Sequence, residues 1–114
     1  MLGQFNPGQA PRFTPITALG WYDTAIKIRV YWEDLERNLL TSNWVNGWGA
    51  VSKAIGPLVG TEVSAVEWNN GASVRIYSEG ISDDIVEECS DSNESSWYTG
   101  QGVATTTSGK IVPL

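Results

Sequence analysis

The chain of 114 residues contains no histidine and a single cysteine, Cys89. The first absence removes the commonest general base and the commonest metal ligand together. The second rules out an internal disulfide and a thiolate zinc site. Basic residues are scarce: 7 Lys and Arg stand against 13 Asp and Glu, for a net charge of −6. With no basic cluster, the field would repel a phosphate backbone, so nucleic acid is not an expected partner. No apolar run approaches the roughly 20 residues of a membrane helix, and the N-terminus lacks a signal-peptide h-region. These absences predict a soluble chain that does not insert in membranes, is cytoplasmic or non-classically secreted, and needs no cofactor or metal.

Aromatic residues and glycine are plentiful, with 6 Trp, 4 Tyr and 12 Gly. That tryptophan density exceeds what one small core buries, and it points to a structural repeat or to a stacking surface. A repeat is present. "ITALGW" (16–21) lies over "VSAVEW" (63–68), and "IRVY" (28–31) over "VRIY" (74–77). From Arg29 onward the two copies run in step: Leu39 falls on Ile85, Thr41 on Glu87, Asn43 on Cys89 and Trp44 on Ser90. "NGW" (46–48) then falls on "SSW" (95–97) after three extra loop residues in the second copy. The period of 46 to 49 residues, with alternating strands between Gly, Asn, Asp and Ser turns, is the spacing of a propeller blade.

"YWEDLERNLL" (31–40) taken alone has helical features, with acidic residues early. Its counterpart "YSEGISDDIV" (77–86) is too rich in Gly, Ser, Asp and β-branched residues to be the same helix, so a shared hairpin is predicted. The expected organisation is an N-terminal strand (1–15) completing a neighbouring blade, repeat 1 (16–62), repeat 2 (63–101), and a tail or exchanged strand (102–114). The fold class is therefore all-β, with two four-stranded antiparallel blades per chain. Two blades leave edges and faces open, and propellers need about four to eight. A homotrimer closing a six-bladed ring is the simplest expected assembly.

The run "VRIYSEGISDDIVEECSDSNESSWYTG" (74–100), with its arginine strand, its carboxylate twelve residues later and its closing "WYTG", resembles the fungal fucose-specific lectin family of the Aleuria type. The likeness extends over residues 16–101. It implies a six-bladed propeller, completed by trimerisation in the short two-repeat bacterial members. L-Fucose and fucosylated glycans would be bound in pockets between blades, without metal or catalysis. Carried over by position, the sugar-binding arginines are Arg29 and Arg75 and the glutamate is Glu87. The aromatics are Trp44 and Trp48 in copy one and Trp97 in copy two. Thr41 stands where copy one would have the glutamate, and Ser90 where copy two would have the first aromatic.

The residue types suit a neutral deoxysugar. Arginine offers a rigid fork of donors and a carboxylate offers paired acceptors for adjacent hydroxyls. An indole supplies an apolar wall for the C–H face. The carboxylate is expected to pair with the arginine in the empty pocket. The two departures fall in opposite halves of the kit. Pockets shared between repeats would leave one set intact, Arg75 and Glu87 with Trp44 and Trp48. The other set, Arg29 and Thr41 with Trp97 and Ser90, would carry both losses. One good site and one weak site per chain are therefore expected.

Trp21 and Trp68 are expected in the core, Tyr31 and Tyr77 in packing roles, and Cys89 as a buried thiol. "DSNES" (91–95) lacks the glycine and glutamate of a calcium loop, with Ser96 and Gly102 in those positions. A glycosidase is the alternative in a different class, using Glu33, Asp34 and Glu36 or Glu87 and Glu88. Hydrolysis needs two opposed carboxylates, about 5 Å apart if retaining. Neighbours on one strand do not oppose. A further alternative is a propeller fragment or engineered assembly unit that retains sugar binding.

Overall fold

The structure, a computed structural model, describes residues 15–59, 62–82, 84–93 and 95–101. The expected N-terminal strand (1–14 of 1–15) and the tail (102–114) lie outside the described residues. Eight strands occur in two sheets, and no helix occurs among the described residues. The first sheet comprises β1 (Ile16–Asp23), β2 (Ala25–Glu33), β3 (Leu39–Trp44) and β4 (Ser52–Ile55). The second comprises β5 (Val63–Trp68), β6 (Ser73–Glu79), β7 (Ile85–Ser90) and β8 (Tyr98–Thr99). Each is a four-stranded antiparallel meander in chain order, and the chain divides into two compact units between Pro57 and Leu58.

Strand register reproduces the internal repeat. Arg29 lies opposite Asn43 and Tyr31 opposite Thr41, as Arg75 lies opposite Cys89 and Tyr77 opposite Glu87. Register is set by which side chains each face buries, so identical pairing follows from the same apolar alternation written twice. The segment 31–40 is a hairpin, as expected. Its turn is held by Asp34, whose Oδ1 accepts from the backbone N–H of Glu36 and of Asn38 at 2.9 Å each, while Arg37 takes φ 68°. An aspartate that bonds its own downstream backbone competes with helix formation and closes a turn instead.

The buried apolar side chains come from the inner strands. In the first sheet these are Tyr31, Trp32 and Leu39; in the second they are Val74, Ile76 and Cys89. Tyr31 and Cys89 are thus packed as expected. Burial raises the Tyr31 hydroxyl above its ordinary range, the nearby Arg29 charge acting weakly the other way. Trp68 departs from its expected core position: it is 44 % exposed, because it ends β5 opposite Ser73, on the face that carries Arg75.

Candidate functional site

In the second sheet the directly opposed pairs are Val66 with Arg75, Tyr77 with Glu87, and Cys89 with both Arg75 and Tyr98. Opposed residues share a face and alternate residues return to it. One face therefore carries Trp68, Arg75, Tyr77, Glu87, Cys89 and Tyr98. Arg75 and Glu87 sit diagonally on it, so the structure brings together the arginine and glutamate expected to meet a sugar. Ser90 lies opposite Val74, on the other face, and Trp97 immediately precedes β8.

The arginine's ion-pair partner differs from the expected glutamate. Arg75 Nη1 reaches Asp91 Oδ1 at 3.1 Å and Nη2 reaches Oδ2 at 3.4 Å, a bidentate pair. Nη1 also donates to the Val74 carbonyl at 3.0 Å. The guanidinium carbon stands 4.7 Å from the Trp68 ring centroid and 5.9 Å from that of Tyr98, within cation–π range. The Tyr98 hydroxyl donates to Asp91 Oδ2. That hydroxyl and the guanidinium together hold the Asp91 carboxyl down at about 2, and the same bond pushes the Tyr98 phenol up to about 12. The aspartate wins the arginine because it follows β7 and can approach the end of the guanidinium. Glu87, four residues before Asp91 on the same face, meets Tyr77 instead: the Tyr77 hydroxyl donates to Glu87 Oε2 at 2.8 Å.

Gly100 closes the same corner. Its N–H donates to the Glu87 carbonyl at 2.8 Å, and a Cβ placed there would come within 2.0 Å of Glu87 Oε1. The glycine of "WYTG" thus lets the Glu87 carboxylate lie close against this corner.

The first sheet holds a divergent version. Arg29 and Thr41 share its corresponding face with Trp21, whose ring centroid lies 5.2 Å from the guanidinium carbon. Arg29 Nε donates to Asn43 Oδ1 at 2.8 Å. Trp44 lies opposite Ile28, so it emerges from the face opposite Arg29. The Asn46-Gly47 turn, with φ 61° and 139°, folds Trp48 back on Trp44 in an edge-to-face pair at 5.6 Å and 72°. The two indoles therefore form one aromatic unit.

Asp91, Tyr98 and Asn43 have no role assigned from sequence, and Tyr77, expected in a packing role, also tethers Glu87. The signal was present for two of them, since Asp91 and Tyr98 stand inside the motifs "C-S-D" and "W-Y-T-G"; what was missing was the fold that brings these segments to Arg75. Glu87 and Glu88 point to opposite faces, lying across from Tyr77 and Ile76. Glu33 is buried and faces Arg37 at 3.4 Å. Neither cluster presents opposed carboxylates, and among the described residues no group of three or more metal-ligating side chains converges. No helix among the described residues is long and apolar enough to cross a membrane.

Two successive four-stranded meanders of this register are blades of a β-propeller. No family model and no curated protein matches the chain by sequence. Solved structures do. A variant of AofleA from Arthrobotrys oligospora, with three arginines replaced by alanine, superposes with a TM-score of 0.69 at 28 % identity. That match covers 86 % of this chain and 30 % of the other. A variant of the Aleuria aurantia lectin in complex with α-methyl-L-fucoside gives 0.61 at 24 % identity, covering 89 % and 36 %. A fucose lectin from Kordia zhangzhouensis in complex with methyl-fucoside gives 0.52 at 25 % identity, covering 77 % and 63 %. In fold the chain is similar to the Aleuria-type fucose-lectin propellers, and it spans about a third of the first two proteins' length.

Proposed function

We propose that the chain is a carbohydrate-binding lectin unit that takes L-fucose and fucosylated glycans, several pockets acting together in a closed ring. The observation that carries this is the placement of Arg75 and Glu87 on one face, each already oriented by a neighbour, beside the Trp68 and Tyr98 rings. Such a face offers fixed donors, fixed acceptors and apolar walls, the complement of a deoxysugar. The fucoside complexes among similar structures support the same ligand class.

Trp44 and Trp48 complete the proposed binding set, with Arg29, Thr41 and Trp97 forming the weaker one. Trp44 faces away from Arg29 in its own sheet. Three copies would supply six blades, and multivalency would raise avidity without any new contact. The neighbours being lectins and the carboxylates not opposing both speak for binding without catalysis.

Calorimetric titration with methyl α-L-fucoside, on material sized by light scattering, tests the proposal. A trimer binding about one sugar per chain agrees with it. A sized, folded chain that binds no fucoside at millimolar concentration refutes it.

A further inference from the structure

The two arginines bind their protein partners through different edges of the guanidinium. In Arg75, Nη1 spends both protons on Asp91 and the Val74 carbonyl, and Nη2 spends one on Asp91. This is the end-on edge, opposite the chain attachment. The edge left without a protein partner among the described residues is the side-on one, Nε–H and the parallel Nη2–H beside it. Two parallel donors in a rigid plane fit two adjacent hydroxyl oxygens, as they fit a carboxylate. In Arg29 the side-on edge is engaged instead: Nε donates to Asn43 Oδ1 at 2.8 Å. The residues responsible differ between the copies. Asn43 is replaced by Cys89, whose buried thiol is a poor competitor for the fork. Asp91 is replaced, in the first copy, by Val45.

We propose that Asp91 is a positioning and specificity-determining residue: by capping the end-on edge of Arg75 it turns the side-on edge toward a vicinal diol and balances the arginine's charge, so that the site takes a neutral sugar and rejects a carboxylated one. Tyr98 assists by donating to Asp91 and covering the guanidinium. Asp91 keeps its charge through the whole working pH range, being held at about 2. An uncapped, uncompensated guanidinium would instead take an anionic ligand bidentately, the geometry in which it binds carboxylates best.

This inference rests on the lectin reading above, and one set of titrations separates the two. The ligands are methyl α-L-fucoside and D-galacturonate, and the proteins are the full chain and its D91N and Y98F variants, each checked by thermal unfolding. The expected result is fucoside binding by the parent chain, about tenfold weaker binding by D91N, the size of one charge-assisted hydrogen bond, and a smaller loss in Y98F. D-Galacturonate binding should appear in D91N alone, a gain that mere loosening of the structure would not produce. If D91N does not fold, Y98F carries the test, and unchanged fucoside affinity in it overturns the inference. Equal fucoside affinity in the parent chain and D91N overturns the inference and leaves the lectin reading standing. A parent chain that binds no fucoside overturns both.

Discussion

The Tyr77 hydroxyl donates to the Glu87 carboxylate at 2.8 Å, across a directly opposed pair of β6 and β7. The bond fixes one carboxylate oxygen, while the other lies against Gly100. It also raises the Tyr77 phenol, since ionising it would place two anions together. In Y77F the ring still packs but Glu87 loses its tether. Fucoside affinity should fall several-fold, with a stability loss of about 1 kcal/mol. Calorimetry and urea unfolding on the same sample check both.

Gly100 sets the depth of that corner. In G100A the new methyl has to displace the Glu87 carboxylate, the far end of a flexible side chain, and press on the Cys89 sulfur, rather than on backbone. The stability cost should therefore fall at the low end of the roughly 1–3 kcal/mol of overpacking. Sugar binding should suffer more, because the displaced carboxylate leaves Tyr77. A G100A chain that keeps its fucoside affinity would show that Glu87 is not a contact.

Asp91 predicts an acid limb. Its carboxyl is depressed to about 2 by the Tyr98 and Arg75 hydrogen bonds, against about 3.9 in an unfolded chain. A depressed carboxylate contributes stability that is complete above the unfolded value and is lost as pH falls through the folded one. The stability difference between the parent chain and D91N should hold constant from pH 7 to about pH 4 and vanish by about pH 2. Urea midpoints at those three pH values measure it.

Glu33 predicts the opposite sign. Burial raises its carboxyl, only partly offset by Arg37 at 3.4 Å. A raised carboxylate favours the folded state most when protonated, so its contribution declines as pH climbs above the unfolded value of about 4.3. E33Q should flatten that part of the stability–pH curve, and a variant whose slope matches the parent's would exclude Glu33 as the source.

Thr41 occupies the position of Glu87, opposite Tyr31 as Glu87 is opposite Tyr77. Restoring the acid in T41E should nevertheless add no second fucoside site, because Asn43 holds the Nε of Arg29 and Val45 supplies no cap. Titration stoichiometry decides this, and two sites per chain in T41E would show that Asn43 yields to the sugar.

Much of this was legible in one dimension. The repeat, the hairpin at 31–40 and the pairing of Arg75 with the Glu87 face follow from alternation and turn residues, which act over a few positions and leave their pattern in the chain. The "NG" at 46–47 likewise announces that Trp44 and Trp48 come together, since a tight turn brings together residues near in sequence. Trp68 was less legible. An indole ending an apolar strand has the same sequence context whether it is buried or, as here, lies half-exposed beneath a guanidinium. The partners of the two arginines were the least legible. Asp91 lies sixteen residues after Arg75, Asn43 fourteen after Arg29, and each competes with other acceptors of similar chemistry. Local periodicity determined which face each side chain occupies. Only the tertiary structure decided which acceptor reaches which edge of a guanidinium, because a few ångströms of approach separate an ion pair from a bystander, and that distance is set by strands that meet far apart in sequence.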